Sequence, residues 1–138
     1  MKKRHAEIEL DWGDGTYSFR LGLGEIEELE RKCALGVFQI VTRLHPDIRQ
    51  CRSGEIFEVI RLGLIGGGMQ AVQALTMARK YMDSEPLDAN RDVAYAITLA
   101  GLMRLHGKDM EDEAPPGKTK ARKTTRGSTS SPLPEPPR

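Results

Sequence analysis

The chain has 138 residues, 21 Lys and Arg against 20 Asp and Glu, and a formal net charge of +1; 38% of residues are hydrophobic and 5% aromatic. That length suits one domain, and the balanced charge excludes an overall field driving the molecule toward nucleic acid or membrane. No apolar run approaches the roughly 20 residues of a membrane span.

From the N-terminus, Met1 to Glu7 carries basic residues but no apolar core of a signal peptide. A soluble, cytoplasmic protein is therefore expected. Ile8, Leu10 and Trp12 then alternate with Glu9 and Asp11, and Tyr17, Phe19 and Leu21 alternate with Ser18 and Arg20. Period-two patterning on both sides of Gly13-Asp14-Gly15 predicts a β-hairpin. Two strands are marginal alone, so the apolar face must cover helices.

The first helix is predicted from near Gly24. Glu25, Glu27 and Glu28 favour its positive end, Ile26, Leu29 and Cys33 form the buried stripe, and Gly36 is the expected C-cap. A short helix from Val37 to Leu44 follows, buried through Val37, Ile40, Val41 and Leu44, and His45-Pro46 ends it. After a loop, Ser53 is the expected N-cap of a helix to Leu64 that buries Ile56, Phe57, Ile60 and Leu64. Gly66-Gly67-Gly68 interrupts. The next helix, Met69 to Met82, is expected to turn Val72, Leu75, Ala78 and Met82 inward. A last helix, capped by Asp88, carries Val93, Ala94, Ile97, Ala100, Leu102 and Leu105 and ends near Gly107.

Beyond that point apolar periodicity stops. Residues 109–138 contain an acidic patch, a run from Gly117 to Arg126 with five basic residues and no acid, and a Ser/Pro-rich end. Such composition cannot bury enough surface to offset chain entropy, so a disordered tail is predicted. The predicted architecture is α+β: residues 1–108 form an N-terminal β-hairpin packed on a bundle of about four to five helices, and residues 109–138 form the charged tail.

No residue pattern calls for catalysis. Gly66-Gly67-Gly68 lacks the Lys-Ser or Lys-Thr of a phosphate loop and reads as an interhelix joint needing positive φ or close backbone packing. Gly22-Leu23-Gly24 has Glu27 where a dinucleotide fingerprint needs its third glycine. His5, His45 and His106 are scattered, Asp11, Asp14 and Asp83 fit no calcium loop, and Cys33 and Cys51 read as reduced, partly buried thiols. No catalytic, cofactor or metal site is predicted, and no cofactor. The basic run from Lys118 to Arg126 has no interleaved aromatic and reads as a solubilising tail, with nonspecific phosphate contact as the rival. Met69, Met77, Met82 and Met103 are adaptable apolar side chains and the candidate partner-binding residues, although a single Met more often fills a core.

The run Leu21-Gly22-Leu23-Gly24-Glu25-Ile26-Glu27-Glu28-Leu29-Glu30 resembles the small tail protein of gene transfer agents and related siphophage-like clusters. The likeness continues through Gly36 and Phe38, the Leu64 to Gly68 segment and the Ala-rich last helix, over about residues 4 to 106. Gly22 departs from it, standing where that family tends to place a Ser or Thr cap, and the charged tail is an extension of the pattern. The resemblance implies a nonenzymatic tail assembly chaperone that binds the tape-measure protein and tail tube subunits. The alternative is a structural tail tube or tail-completion subunit retained in the particle, and a small nucleic-acid-binding regulator using the basic tail is the third reading. Self-association is compatible with all three.

Overall fold

The computed structural model describes residues 4–104. The predicted tail, its boundary at residue 108, and Leu105, His106 and the helix end near Gly107 lie outside them. Within the described residues, two strands and five helices follow in order: β1 (Glu7–Trp12), β2 (Gly15–Arg20), α1 (Leu23–Cys33), α2 (Val37–Leu44), α3 (Ser53–Gly66), α4 (Ala71–Ser84) and α5 (Leu87–Met103). This is the α+β arrangement expected, with the hairpin at the N-terminus.

β1 and β2 pair antiparallel, Ile8 facing Phe19 and Leu10 facing Tyr17. Gly13, at φ +60°, is the first of two loop residues, and only this one has positive φ, as a II′ turn requires. A Cβ there would also lie 2.6 Å from the Tyr81 ring. Trp12 gathers aromatic side chains of the hairpin and of α4: its ring lies 5.7 Å from Tyr17, 6.0 Å from Phe19 and 5.0 Å from Tyr81, all edge-on. Its indole N–H donates to Asn90 Oδ1 at 3.0 Å, and Asn90 Nδ2 donates to the Tyr81 carbonyl at 3.1 Å. The hairpin is thereby keyed to α4 and α5 at once.

α3 is the axis of the fold. It packs against β2, α1, α4 and α5, which is why Ile56, Val59, Ile60, Leu62 and Leu64 are all buried rather than one narrow stripe. Its glycine end makes the closest approach of any described glycine. A Cβ on Gly66 would stand 1.9 Å from the Arg20 carbonyl oxygen, and one on Gly67 2.1 Å from that of Ser18. The expected joint is therefore a close backbone approach of α3 to β2, with Gly68 supplying the positive φ of +115°.

Four local expectations are corrected. α1 closes at Ala34, in the left-handed region at φ 57°, and not at Gly36, which is the N-cap of α2. Arg52 rather than Ser53 caps α3, because the Glu55 carboxylate folds back to accept its N–H at 3.2 Å. Pro86, not Asp88, precedes α5, and Asp88 sits in the first turn, bound to arginines instead. Finally α4 buries Ala74, Ala78 and Tyr81, while Val72 is 77% and Leu75 37% exposed. Two overlapping apolar stripes share that helix, and the Trp12–Tyr81 contact together with the small Ala74 and Ala78 chooses the inward one. On α2 and α3, Val41 and Phe57 are only half-buried, whereas the α1 stripe of Ile26, Leu29 and Cys33 is buried as expected.

Two substitutions test this account by urea unfolding. Gly66→Ala forces α3 off β2 and is expected to cost about 2–4 kcal/mol, against a change within about 0.5 kcal/mol for Gly24→Ala, whose Cβ meets nothing within 4 Å. Ala34→Gly removes the left-handed strain and is expected to stabilise by about 0.5–1 kcal/mol.

Candidate partner-binding surface

Most charged groups near the helix ends are already committed. The last carbonyls of a helix lack intrahelical partners, and three arginines from elsewhere in the chain supply donors. Arg52 donates to the Cys33 carbonyl of α1 at 3.3 Å, Arg91 to the Leu44 carbonyl of α2 at 2.7 Å, and Arg4 to the Gly66 carbonyl of α3 at 2.8 Å. Arg91 is itself buried and also donates to Asp88 at 2.8 Å and Asp92 at 2.5 Å. Glu55, 1% exposed, receives Arg52 Nε at 2.7 Å and Arg43 Nε at 3.2 Å. Buried Glu55, Asn90 and Arg91 thus hold elements together, and none of them was apparent from local sequence pattern.

Ionisation follows this wiring. Burial pushes the Glu55 carboxyl up, but the hydrogen bonds from Arg52 and Arg43 outweigh it and leave it below the ordinary value. Hydrogen bonds from Arg91 and then Arg49 bring Asp88 down to about 2. Burial, reinforced by Glu55 and Glu58, raises the Cys33 thiol to about 11, and burial raises Cys51 as well. Both cysteines are free, as expected, and a protonated thiol is a poor nucleophile. Among the described residues no cluster of His, Cys, Asp and Glu is arranged to hold a metal ion, and no helix is long and apolar enough to cross a membrane.

What is left over is apolar. Val72 and Leu75 face outward from α4, and the adjoining groove between α3, α4 and the start of α5 is floored by Phe57, Met82 and Leu87, the last 50% exposed. Arg79, Asp83 and Glu85 rim it. Among the described residues their side chains make no hydrogen bond or ion pair.

Of the four candidate methionines, none is fully buried. Met69 is half-buried in the turn after α3, Met77 and Met82 are half-buried on α4, and Met103 is 60% exposed at the end of α5. They do not form one patch. Met77 and Met82 are five residues apart, about 140° around the helix, and only Met82 lines the groove. Val72, Leu75 and Leu87 are the further exposed apolar side chains on and beside α4; the first two belong to the second stripe of α4, which periodicity alone assigned to the core.

This fold and surface define a small α+β module whose charged side chains brace helix ends and whose exposed apolar face is suited to protein contact. The family model for the phage tail tube protein, GTA-gp10, matches residues 5–104, and the chain belongs to that family of phage tail proteins. The family is structural rather than enzymatic. No characterised relative and no solved structure matches the chain.

Two of the lowered carboxyls, Glu55 and Asp88, predict an acid-sensitive stability. In the unfolded chain Glu55 and Asp88 titrate near 4.5 and 3.8, above their folded values. Their contribution is therefore complete above those values and lost as pH falls, through about 2 for Asp88. Thermal unfolding from neutral pH downward should show wild type above Asp88→Asn by a constant margin until about pH 4. The two curves should then converge toward pH 2.

Proposed function

We propose that this tail protein acts as an assembly chaperone, binding apolar helical segments of the tape-measure protein, and tail tube subunits, while the tail is built. The observation supporting this reading is the outward stripe of α4 beside the Phe57–Met82–Leu87 groove. An apolar floor with an uncommitted charged rim is the form taken by sites that receive an amphipathic helix. Met69, Met77, Met82 and Met103, each with some exposed surface, add side chains that repack around varied sequences. Binding by such a face is reversible and needs no chemistry.

A second reading, a structural subunit retained in the particle, is favoured by the family's description as a tail tube protein. Particle composition separates the two. A chaperone is absent from purified mature particles, or present far below the tube subunit, and stoichiometric presence overturns the chaperone reading. In co-expression, Leu75→Asp should lower recovery of soluble tape-measure protein by about tenfold, the effect of removing one anchor worth about 1.4 kcal/mol; unchanged recovery would move the binding site off α4.

A further inference from the structure

We propose that α4 is a lid. It swings off α3 and the hairpin as one unit, pivoting at the Met69–Gln70 junction, while the other elements stay packed. Tyr81 is the latch that holds it shut.

Burial, bracing and connection all set α4 apart. It buries only Ala74, Ala78 and Tyr81, with Met77 and Met82 half-buried beside them, whereas α3, equally long, buries eight residues. Local opening is easiest where few apolar groups are buried. Arg52, Arg91 and Arg4 close the ends of α1, α2 and α3. The last turn of α4 has no such brace: the side-chain donor that reaches it is Asn90 Nδ2, at the Tyr81 carbonyl. Among the described residues no ion pair joins α4 to another element. The hydrogen bonding of the α3 end runs as far as Met69, whose N–H donates to the Leu64 carbonyl at 3.0 Å. That of α4 begins at Gln70, whose carbonyl accepts from Ala74 at 2.9 Å. The pivot is the junction between them, beside exposed Gly68, and on the far side residues 83–89 are all exposed.

Fastening converges on Tyr81. Its ring stands edge-on to Trp12 at 5.0 Å and lies against Gly13, and its carbonyl takes the Asn90 bond. Opening uncovers Trp12, 5% exposed in the closed form, and the face of α3 against which α4 packs. The latch thus controls access to an apolar surface that the closed chain withholds. This is a property of the free chain and does not depend on the chaperone reading, so either can fail while the other stands.

Hydrogen exchange on the full chain, read amide by amide, tests the lid. A detached helix of 14 residues is marginal in water, so its amides exchange at each opening. Relative to intrinsic rates, α4 amides from Leu75 onward should exchange about tenfold or more faster than the slowest of α3 and α5. Ile97→Val, on α5 against Gly63, should speed those α3 and α5 amides about twofold to tenfold. It should leave α4 unchanged, because it weakens the closed and open forms equally. Tyr81→Ala should speed α4 exchange by about tenfold or more. α4 amides as slow as the slowest of α3, or sped by Ile97→Val to the same degree, mean that α4 opens only with the whole fold and overturn the lid. Unchanged α4 exchange in Tyr81→Ala overturns the latch.

Discussion

The close approach of α3 to β2 is the constraint on which the rest of this molecule depends. Hairpins bury little surface alone, and this one is held because Gly66 and Gly67 let the helix backbone descend onto the carbonyls of Arg20 and Ser18. At that depth Phe19 and Ile97 come within reach of Gly63, and Leu21 within reach of Gly101. The hairpin, α3 and α5 therefore share one packed layer. A side chain at either glycine would lift the hairpin by its own width and open the layer beneath it. Helix propensity opposes glycine at such positions, and the close packing it permits is what offsets that cost.

Around this layer the chain uses charge for joinery. Arg4, Arg52 and Arg91 each close the C-terminal end of a helix distant in sequence, and Glu55 draws two arginines inward. Guanidinium suits the task, since its several donors satisfy a carbonyl and a carboxylate together. The consequence for function is one of elimination. With these polar groups spent on helix ends and the thiols held protonated, exposed apolar side chains remain, among them Val72 and Leu75 on the outer face of α4, Leu87 in the groove beside it, and Leu23 and Phe38 on α1 and α2. The proposed contact with tail partners is placed on the α4 face.

How much of this was legible in the sequence depends on the distance over which each decision is made. The hairpin and the α1 stripe were readable because period-two alternation, a glycine turn and an acidic first turn are local signals. The glycine triplet was readable as a joint, though not which strand it would touch. The inner face of α4 was not, because Val72 and Leu75 compete with Ala74, Ala78 and Tyr81 at helical spacing. The winner is fixed by Trp12, far back in the chain. Nor were Asn90 and Arg91 readable as keystones: their acceptors and donors lie 78 and 47 residues away. The groove beside α4 was partly legible for the same reason. Methionine marks adaptable material, and Met82 does line the groove, but the exposure of Val72 and Leu75 emerges only from the packing.

Trp12 has a further consequence. It is the chain's single tryptophan, it is buried, and its indole sits among three other rings with its N–H bound to Asn90. The protein thus carries one intrinsic fluorophore at the seam where hairpin, α4 and α5 meet. Its emission reports whether that seam is closed, in the free chain or within a crowded assembly mixture, with no label attached. A red shift registers the hairpin lifting away even where the helices stay wound, and so separates undocking from unfolding.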